Sequence, residues 1–462
     1  MCIHDANDNF CVQSLVKMIC VYSRWHALKG CRMFHKNLFF LVTGMFVTGG
    51  LVTAPSLIAM AGTNTWTLEA VVQRTMEIAP EIRTAEAEIA ARAGELTQAG
   101  AWPNPTVDLG ADDSLGQEDG SGGTELTQIT LSQPLPLRRL ARQRAAARAN
   151  LESARENRRY QRLLLESEAS RVFRALQHTE ARVALARSRL DLAEGFGRPE
   201  PGGKARDPLV RYLTPLERIR LAVLREEARQ AVMVAEKDYQ KALAEFRSLL
   251  ALSADTAVQT APLDLAAPPP ELAGHEQNLE AHPLLASARR EVEAARAGVA
   301  VAESQRFADP ELNLFRERDY LNGERRDVTG VGISFQIPLW NQNRGPVAKA
   351  RAEALRARAQ VELRQRDMLT SLRQSYAELA RVIEQARRTR DNLLEPARQV
   401  FDLTRRGFTS GELNLLALVD ANNTHFEAQS RYLDLLKEAH LAGAELRLAA
   451  GISLLEEREV QP

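Results

Sequence analysis

Apolar side chains recur along this chain with two different periods, which alternate from one segment to the next. From Thr67 to about Gln98 they return at the spacing of one helix face. From Val331 to Leu339 they occupy every second position, which is typical of a strand with one apolar face. The pattern predicts a mainly helical chain that is interrupted by a few short strands.

The order of helix, strand pair and longer helix occurs twice, at an offset of about 200 residues. Asn104-Pro105 opens the strand pair of one copy and Asp309-Pro310 opens that of the other. We predict a first repeat at 62–252, a linker at 253–276 and a second repeat at 277–462. The predicted strands lie at about 105–112, 124–135, 310–317 and 327–340.

The helix predicted after the first strand pair is too long for a compact domain. It runs from about Arg138 to Ala193, or on the order of 85 Å at the rise of an α-helix. Its many alanines favour close packing between helices in a coiled-coil tube. We expect equally continuous helices at 67–98 and 347–404, and a last helix at 413–450, seated by Leu413, Leu416 and Val419.

The N-terminal part of the chain has the features of a secretory signal. Residues 37–61 contain no charged side chain, a short basic leader begins at Met33, and Ala61 ends a small-x-small site before Gly62. We predict a signal peptide at 33–61, cleavage between Ala61 and Gly62, and a mis-assigned start that places residues 1–32 upstream of the true one. A membrane anchor at 37–61 is the alternative, because about 25 residues suffice to span a bilayer.

Charge and motifs exclude several function classes. Lys plus Arg and Asp plus Glu both number 60, so bulk charge gives no argument for nucleic acid. All four cysteines precede the predicted cleavage site, which leaves no thiolate site in the processed chain. No phosphate-binding or nucleophile motif occurs, and the histidines after the signal lack metal-ligand spacing (His178, His275, His282, His425 and His440). We therefore expect no enzyme activity, no catalytic residue, no metal site and no cofactor.

Two strands per repeat are too few to stand alone in water, since an isolated hairpin is marginally stable. The alternation along Val331 to Leu339 also suits a barrel that turns apolar side chains toward lipid. Four strands do not close a barrel, but three chains would supply twelve.

The motifs resemble those of the outer-membrane efflux proteins, or TolC-like channels, and within them the CzcC-type heavy-metal branch. The segments that carry the resemblance are the stretch 413–421 after a glycine turn, the paired strand starts, and the strand-to-helix entry at 331–350. The similarity covers Thr67 to about Gly451.

The resemblance implies a homotrimer in the outer membrane of a Gram-negative bacterium. In it, a twelve-stranded barrel continues into a helical tunnel in the periplasm. Such channels are passive exits that dock with a periplasmic adaptor (membrane fusion) protein and an inner-membrane RND pump. By the same resemblance, Asp420, Arg220 and Glu217 are candidates for the periplasmic gate. The hairpin tips that would contact the adaptor include Gly411, Leu413, Leu416, Thr214 and Leu216.

The cargo is open at this stage. Heavy-metal cations are expected from the branch resemblance, and an exit for drugs, organic compounds or a type I secretion system is the alternative. A periplasmic coiled-coil adaptor would have one hairpin rather than a duplicated strand pair. An anchored chemoreceptor would need a second hydrophobic segment or a signalling region.

Overall fold

A computed structural model describes residues 65–112, 125–195, 214–321 and 324–455, with side chains described outside 112–127 and 319–326. The predicted signal peptide and its cleavage site at Ala61 and Gly62 lie outside the described residues. So does the upstream segment 1–32. The described residues all belong to one structural unit.

Four antiparallel strands from both repeats form one sheet. The strands β2 (Thr106–Asp112) and β3 (Glu125–Pro134) come from the first repeat, and β5 (Glu311–Leu321) and β6 (Glu324–Ser334) from the second. Their order is β2-β3-β5-β6, so the two repeats meet where β3 pairs with β5. In the described residues, β2 and β6 are the two outer strands of this sheet.

The pairing register separates an apolar face from a polar one. Val107, Leu131, Leu314 and Val331 stand directly opposite one another across the four strands, and all four are exposed. The neighbouring row points to the other face of the sheet and is polar or small (Thr106, Ser132, Asn313 and Gly332). The sheet therefore presents an exposed apolar surface on one side only.

Each repeat enters its strand pair through a helix that begins at a proline. In the first repeat, α1 (Leu68–Ile78) is followed by α2 (Pro80–Ala99). The prediction of a single helix at 67–98 was wrong, because the helix is broken at Ala79. This residue precedes proline and takes an extended conformation with ψ 125°. Proline fits the first helical turn, where no N–H partner is needed.

The second repeat has the same break. A small parallel pair joins β1 (Thr65–Trp66) to β4 (Gln259–Thr260) in the linker. Then come α5 (Leu272–Asn278), a 3-10 turn (Leu279–Ala281) and α6 (Pro283–Ser304). His282 before Pro283 is extended with ψ 130°, as Ala79 is in the first repeat.

Long helices follow each strand pair. The helix α3 (Arg139–Gly195) has 57 residues and α4 (Pro215–Leu249) returns along it. In the second repeat, α7 (Arg344–Thr389) continues through a π-helical turn (Arg390–Leu394) into α8 (Glu395–Thr409), and α9 (Leu415–Ala450) returns. Alanines are frequent among the buried positions of these helices, including Ala169, Ala228, Ala386 and Ala439, which allows the helix axes to approach closely.

The π-helical turn is a departure from the unbroken α-helix expected at 347–404. Pro396 has no N–H to donate to the carbonyl of Asn392, and its ring would clash with that carbonyl in a regular helix. The wider turn at Arg390–Leu394 accommodates the proline without ending the helix. The feature gives the second hairpin a local irregularity that α3 lacks.

Candidate functional site

The tips of the two helical hairpins lie together and form the candidate site. Leu415 of α9 is 1% exposed and packs with Ala193 of α3 and with Leu221, Leu224 and Ala228 of α4. A second group joins Phe401 of α8 to Leu418 and Ala421 of α9. The tips of the two hairpins are thus packed against each other through apolar side chains.

A tight glycine turn links α8 to α9. Gly411 has φ +81°, and its N–H donates to the carbonyl of Phe408 at 3.1 Å. The N–H of Glu412 donates to the carbonyl of Gly407 at 2.8 Å, which completes a Schellman motif. The side chain of Asn414 then accepts from the N–H of Ala417 at 3.0 Å and caps α9.

The leucines that are buried at this turn are not the ones that the sequence predicted. Leu413 and Leu416 were expected to seat the last helix, but they are 43% and 53% exposed. Leu415 and Leu418 are buried instead. The reason is the start of α9 at Leu415, which turns positions 415, 418 and 422 toward the neighbouring helices.

The turn into α4 is closed by a capping box. The hydroxyl of Thr214 accepts from the N–H of Glu217 at 3.2 Å, and the Glu217 carboxylate accepts from the N–H of Thr214 at 2.8 Å. These hydrogen bonds, with a smaller contribution from the positive charge of Arg220, lower the pKa of Glu217. Leu216 is exposed beside the box. Glu217 therefore stabilises the helix start, whatever else it does.

Asp420 and Arg220 stand on the surface of the tip, on α9 and α4 respectively. Among the described residues of one protomer, neither of them forms an ion pair. Arg405 pairs with Asp402 on its own helix at 3.5 Å, and Arg406 donates to the carbonyl of Asp402 at 3.3 Å. Asp420 and Arg220 are therefore exposed, while Arg405 and Arg406 are engaged within their own helix.

Two buried polar residues near the tip were not singled out from the sequence. Asn422 is fully buried, and its amide has no hydrogen-bond partner among the described residues. His425 stacks on Phe401 with ring centroids 5.4 Å apart, and burial lowers its pKa. The helical spacing of Leu415, Leu418, Asn422 and His425 is the signal that could have found them, because it places all four on one face.

Metal ligands are not grouped in the part of the chain that the structure describes. No set of three or more His, Cys, Asp or Glu side chains is arranged to hold an ion there. His178 contacts Asp434 at 2.7 Å, and His282 contacts the carbonyl of Leu448 at 3.0 Å. Within the same residues, no helix combines the length and the apolar character that crossing a bilayer requires.

Comparison with known proteins shows which class this chain resembles. Residues 275–452 match the model of the outer membrane efflux protein family. The fold is shared with a solved structure of the outer membrane channel MtrE of Neisseria gonorrhoeae in its open state, at a TM-score of 0.66 and 16% identity. That match covers 84% of this chain and 89% of MtrE. A crystal structure of CusC matches with a TM-score of 0.66 and 16% identity, over 84% of this chain and 92% of CusC.

A curated relative is more similar in sequence. The cobalt-zinc-cadmium resistance protein CzcC of Cupriavidus metallidurans is 26% identical over 396 residues, which covers 82% of this chain and 88% of CzcC. These findings confirm the resemblance to TolC-like outer membrane efflux proteins and to CzcC that the sequence motifs indicated. The predicted fold class, the efflux class and the outer-membrane location are confirmed as well. The matched family is one of efflux channels and not a class of enzymes.

Proposed function

We propose that three copies of this chain form the outer-membrane exit duct of a tripartite efflux system. Each copy contributes four strands to a twelve-stranded barrel and two helical hairpins to a periplasmic tunnel. A periplasmic adaptor protein and an inner-membrane pump of the RND type complete the system and supply the energy. The processed chain would begin at Gly62, with the two repeats at 62–252 and 277–462.

The sheet carries this proposal. Its apolar row is exposed on all four strands, and among the described residues its outer strands β2 and β6 each have one edge without a partner strand. An exposed apolar sheet face with open edges is unstable in water, whereas closure into a barrel pairs the edges and places the apolar face in lipid. Twelve strands are within the range of outer-membrane barrels, and four are not.

Exposed apolar side chains near the tip support assembly into a trimer. Leu216, Ile219 and Val223 follow one another at helical spacing on α4, and each is more than half exposed. Val400 and Leu403 repeat the pattern on α8. Stripes of this kind fit helix packing against a neighbouring subunit better than contact with water.

The gate is proposed at the hairpin tips. Asp420 and Arg220 are free of ion pairs to described residues within one protomer, so they are available to a neighbouring one. Outward tilting of the hairpins on adaptor binding would separate such contacts and open the duct. Gly411, Leu413, Leu416, Thr214 and Leu216 lie at or beside the turns and would form the contact with the adaptor.

Heavy-metal cations are the proposed cargo, on the strength of the similarity to CzcC, whose name refers to cobalt, zinc and cadmium. A duct has to release its cargo, so strong binding inside it is not required. An exit for organic compounds is the second candidate, because the shared fold with MtrE says nothing about cargo.

Assembly is tested by purifying the processed chain from outer membranes and measuring its mass in detergent and its conductance in planar bilayers. We expect a trimer that forms pores. A processed chain that stays monomeric in buffer without detergent would refute the barrel and the duct together.

The gate is tested with Asp420→Ala in the same bilayers. Loss of this carboxylate is expected to increase closed-state leakage and to weaken cation preference. Glu362→Ala is the matched control, since Glu362 is an exposed acid on α7 far from the tips. Leakage and cation preference equal to wild type for both variants would remove Asp420 from the gate.

The cargo is tested by deleting the chain and measuring growth with cobalt, zinc and cadmium salts and, separately, with detergents and dyes. Sensitivity to metals alone is expected. Sensitivity to organic compounds alone would transfer the assignment to the second candidate.

A further inference from the structure

A large cleft lies where the strands of the sheet continue into the long helices. Its volume is about 1010 Å³. It is lined by the start of α3, the end of α6 and the start of α7, together with the chain that leaves β6.

The cleft is strongly basic. Six arginines line it and only two carboxylates, Glu303 and Asp309. We call it the arginine cleft and define it by its cationic side chains (Arg138, Arg139, Arg142, Arg306, Arg344 and Arg351). An excess of positive charge is unusual in a chain whose basic and acidic residues are equal in number.

Two of the arginines are neutralised by the two carboxylates. Arg139 pairs with Asp309 at 2.9 Å, and Arg351 pairs with Glu303 at 2.8 Å. Arg139 nevertheless keeps a buried Nε–H without a hydrogen-bond partner among the described residues. Arg139 therefore has a hydrogen-bond donor available in the cleft although its guanidinium group is already paired with a carboxylate.

The other four arginines have no carboxylate partner among the described residues. Arg142 donates to the carbonyl of Ala300 at 2.8 Å, and Arg344 donates to the side-chain oxygen of Gln342 at 2.9 Å. Arg306 lies 5.7 Å from the ring centre of Phe307. Arg138 and Arg306 form no ion pair with any described side chain, so two guanidinium groups are free to bind an anion.

Phosphate is the anion that this arrangement fits. Guanidinium groups donate two parallel hydrogen bonds to phosphate oxygens, and several arginines together match the charge of a phosphate group. The helices α3 and α7 both begin at the cleft, and the positive ends of helix dipoles also favour an anion.

The surroundings of the cleft are apolar. Leu137, Phe307 and Phe335 line it and are 73%, 57% and 69% exposed. Leu339 and Trp340 follow Phe335 along the chain, and Trp340 is almost fully exposed. Exposed tryptophan is typical of the boundary between membrane and water. A ligand held here would have its charged group on arginines and its apolar part on these side chains.

We infer that the arginine cleft binds the phosphate headgroup of an anionic phospholipid, with the acyl chains along Leu137, Phe307 and Phe335. This inference rests on the proposed barrel. In such a barrel, the end of the sheet that continues into the long helices lies at the periplasmic leaflet of the outer membrane. The bound lipid would fix the depth of the barrel in the membrane at the junction with the tunnel.

The experiment measures binding of short-chain phosphatidylglycerol and phosphatidylcholine to the purified trimer by native mass spectrometry. We expect a preference for phosphatidylglycerol of roughly 25-fold, since each of the two free arginines near an anionic headgroup contributes about a factor of five. Arg138→Gln with Arg306→Gln should abolish the preference. Arg356→Gln with Arg358→Gln removes the same charge from exposed positions further along α7 and should leave it unchanged.

Equal binding of both lipids to the wild-type trimer would overturn the inference, even if the variants did not fold. Displacement of the lipid by inorganic phosphate at a similar concentration would overturn it too, because the site would then be an anion site only. Trimer mass and conductance are recorded on the same preparations. A conducting trimer without lipid preference refutes this inference alone, whereas a chain that forms no trimer refutes the proposed duct.

Discussion

The hairpins of the two repeats have the same place in the fold but different construction. In the first repeat, α3 is continuous over 57 residues, and the returning helix α4 begins at a capping box. In the second, the outgoing helix contains a π-helical turn before Pro396, and a Schellman motif at Gly411 reverses the chain within a few residues.

The buried faces also differ. The returning helix of the second hairpin, α9, buries Asn422 and His425 and also carries His440. The helix α4 contains no histidine, and its buried positions are apolar throughout (Leu221, Leu224, Ala228, Ala235, Ala242, Leu243 and Phe246). The two returning helices therefore have the same place in the fold, but only the one in the second copy has buried polar side chains.

The largest effect is expected at the contact that both tips share. Leu415→Ala removes a fully buried side chain and should destabilise the tip by about 3 kcal/mol. Hydrogen exchange should accelerate roughly a hundredfold in peptides from both tips. Leu416→Ala is the matched control, because Leu416 is more than half exposed, and in the isolated protomer it should change little. Acceleration confined to the second tip would show that the two hairpins are not coupled there.

A smaller effect should appear on acidification, at a histidine of the second hairpin. Burial, with the nearby charge of Arg174, lowers the pKa of His440 from 6.5 to about 4, while its Nε2–H donates to the carbonyl of Asp264 at 2.7 Å. The neutral form is therefore favoured by folding. Its stabilisation is complete above pH 6.5 and is lost as the pH falls toward 4.

We expect His440 to contribute about 2 kcal/mol to this loss. His440→Gln keeps a donor for Asp264 but does not titrate, so its thermal midpoint should fall less between pH 7 and pH 4.5. If the thermal midpoint of the variant depends on pH as that of the wild type does, then His440 is not the source of the acid sensitivity.

A still smaller effect is expected at the glycine turn between α8 and α9. Gly411→Ala places a side chain at φ +81° and should cost about 1 kcal/mol. Gly195→Ala is the matched control from the end of α3, where an added Cβ meets nothing within 4 Å. Exchange rates at residues 407–418 should rise in the first variant only. Equal rates in both would mean that the reversal does not depend on the left-handed conformation.

The smallest effect should be found at the capping box of the first hairpin. Thr214→Ala removes the hydroxyl that accepts from Glu217 and should destabilise the start of α4 by about 1 kcal/mol or less. Thr214→Ser keeps the acceptor and serves as the control. Fraying of residues 214–220 in the alanine variant, measured by exchange, is the expected result. Unchanged exchange would show that other contacts hold the helix start.

The sequence predicted the parts of this fold that depend on repeated local patterns. The alternation around Val331 indicated a strand with one apolar face, although β6 ends at Ser334 and not at about residue 340 as predicted. The duplicated Asn104-Pro105 and Asp309-Pro310 steps indicated two copies. It could also have predicted the breaks at Pro80 and Pro283 and the irregular turn before Pro396, because proline constrains its neighbours in a known way.

Other features could not be predicted in this way. The burial of Leu415 rather than Leu416 depends on where α9 begins, and a shift of one residue turns each side chain by about 100°. The arginine cleft combines segments near residues 140, 306 and 345. Only the tertiary fold places such distant segments side by side.

The pairing of β3 with β5 has a consequence for the origin of the chain. It is an antiparallel strand pairing between two copies of one strand pair. A closed ring of twelve strands would require the same kind of pairing between β6 of one protomer and β2 of the next. A single unfused repeat could in principle build that ring as a hexamer. Gene fusion would then have joined the repeats covalently at three of the six equivalent strand pairings. The two repeats of one chain are then free to diverge at their tips.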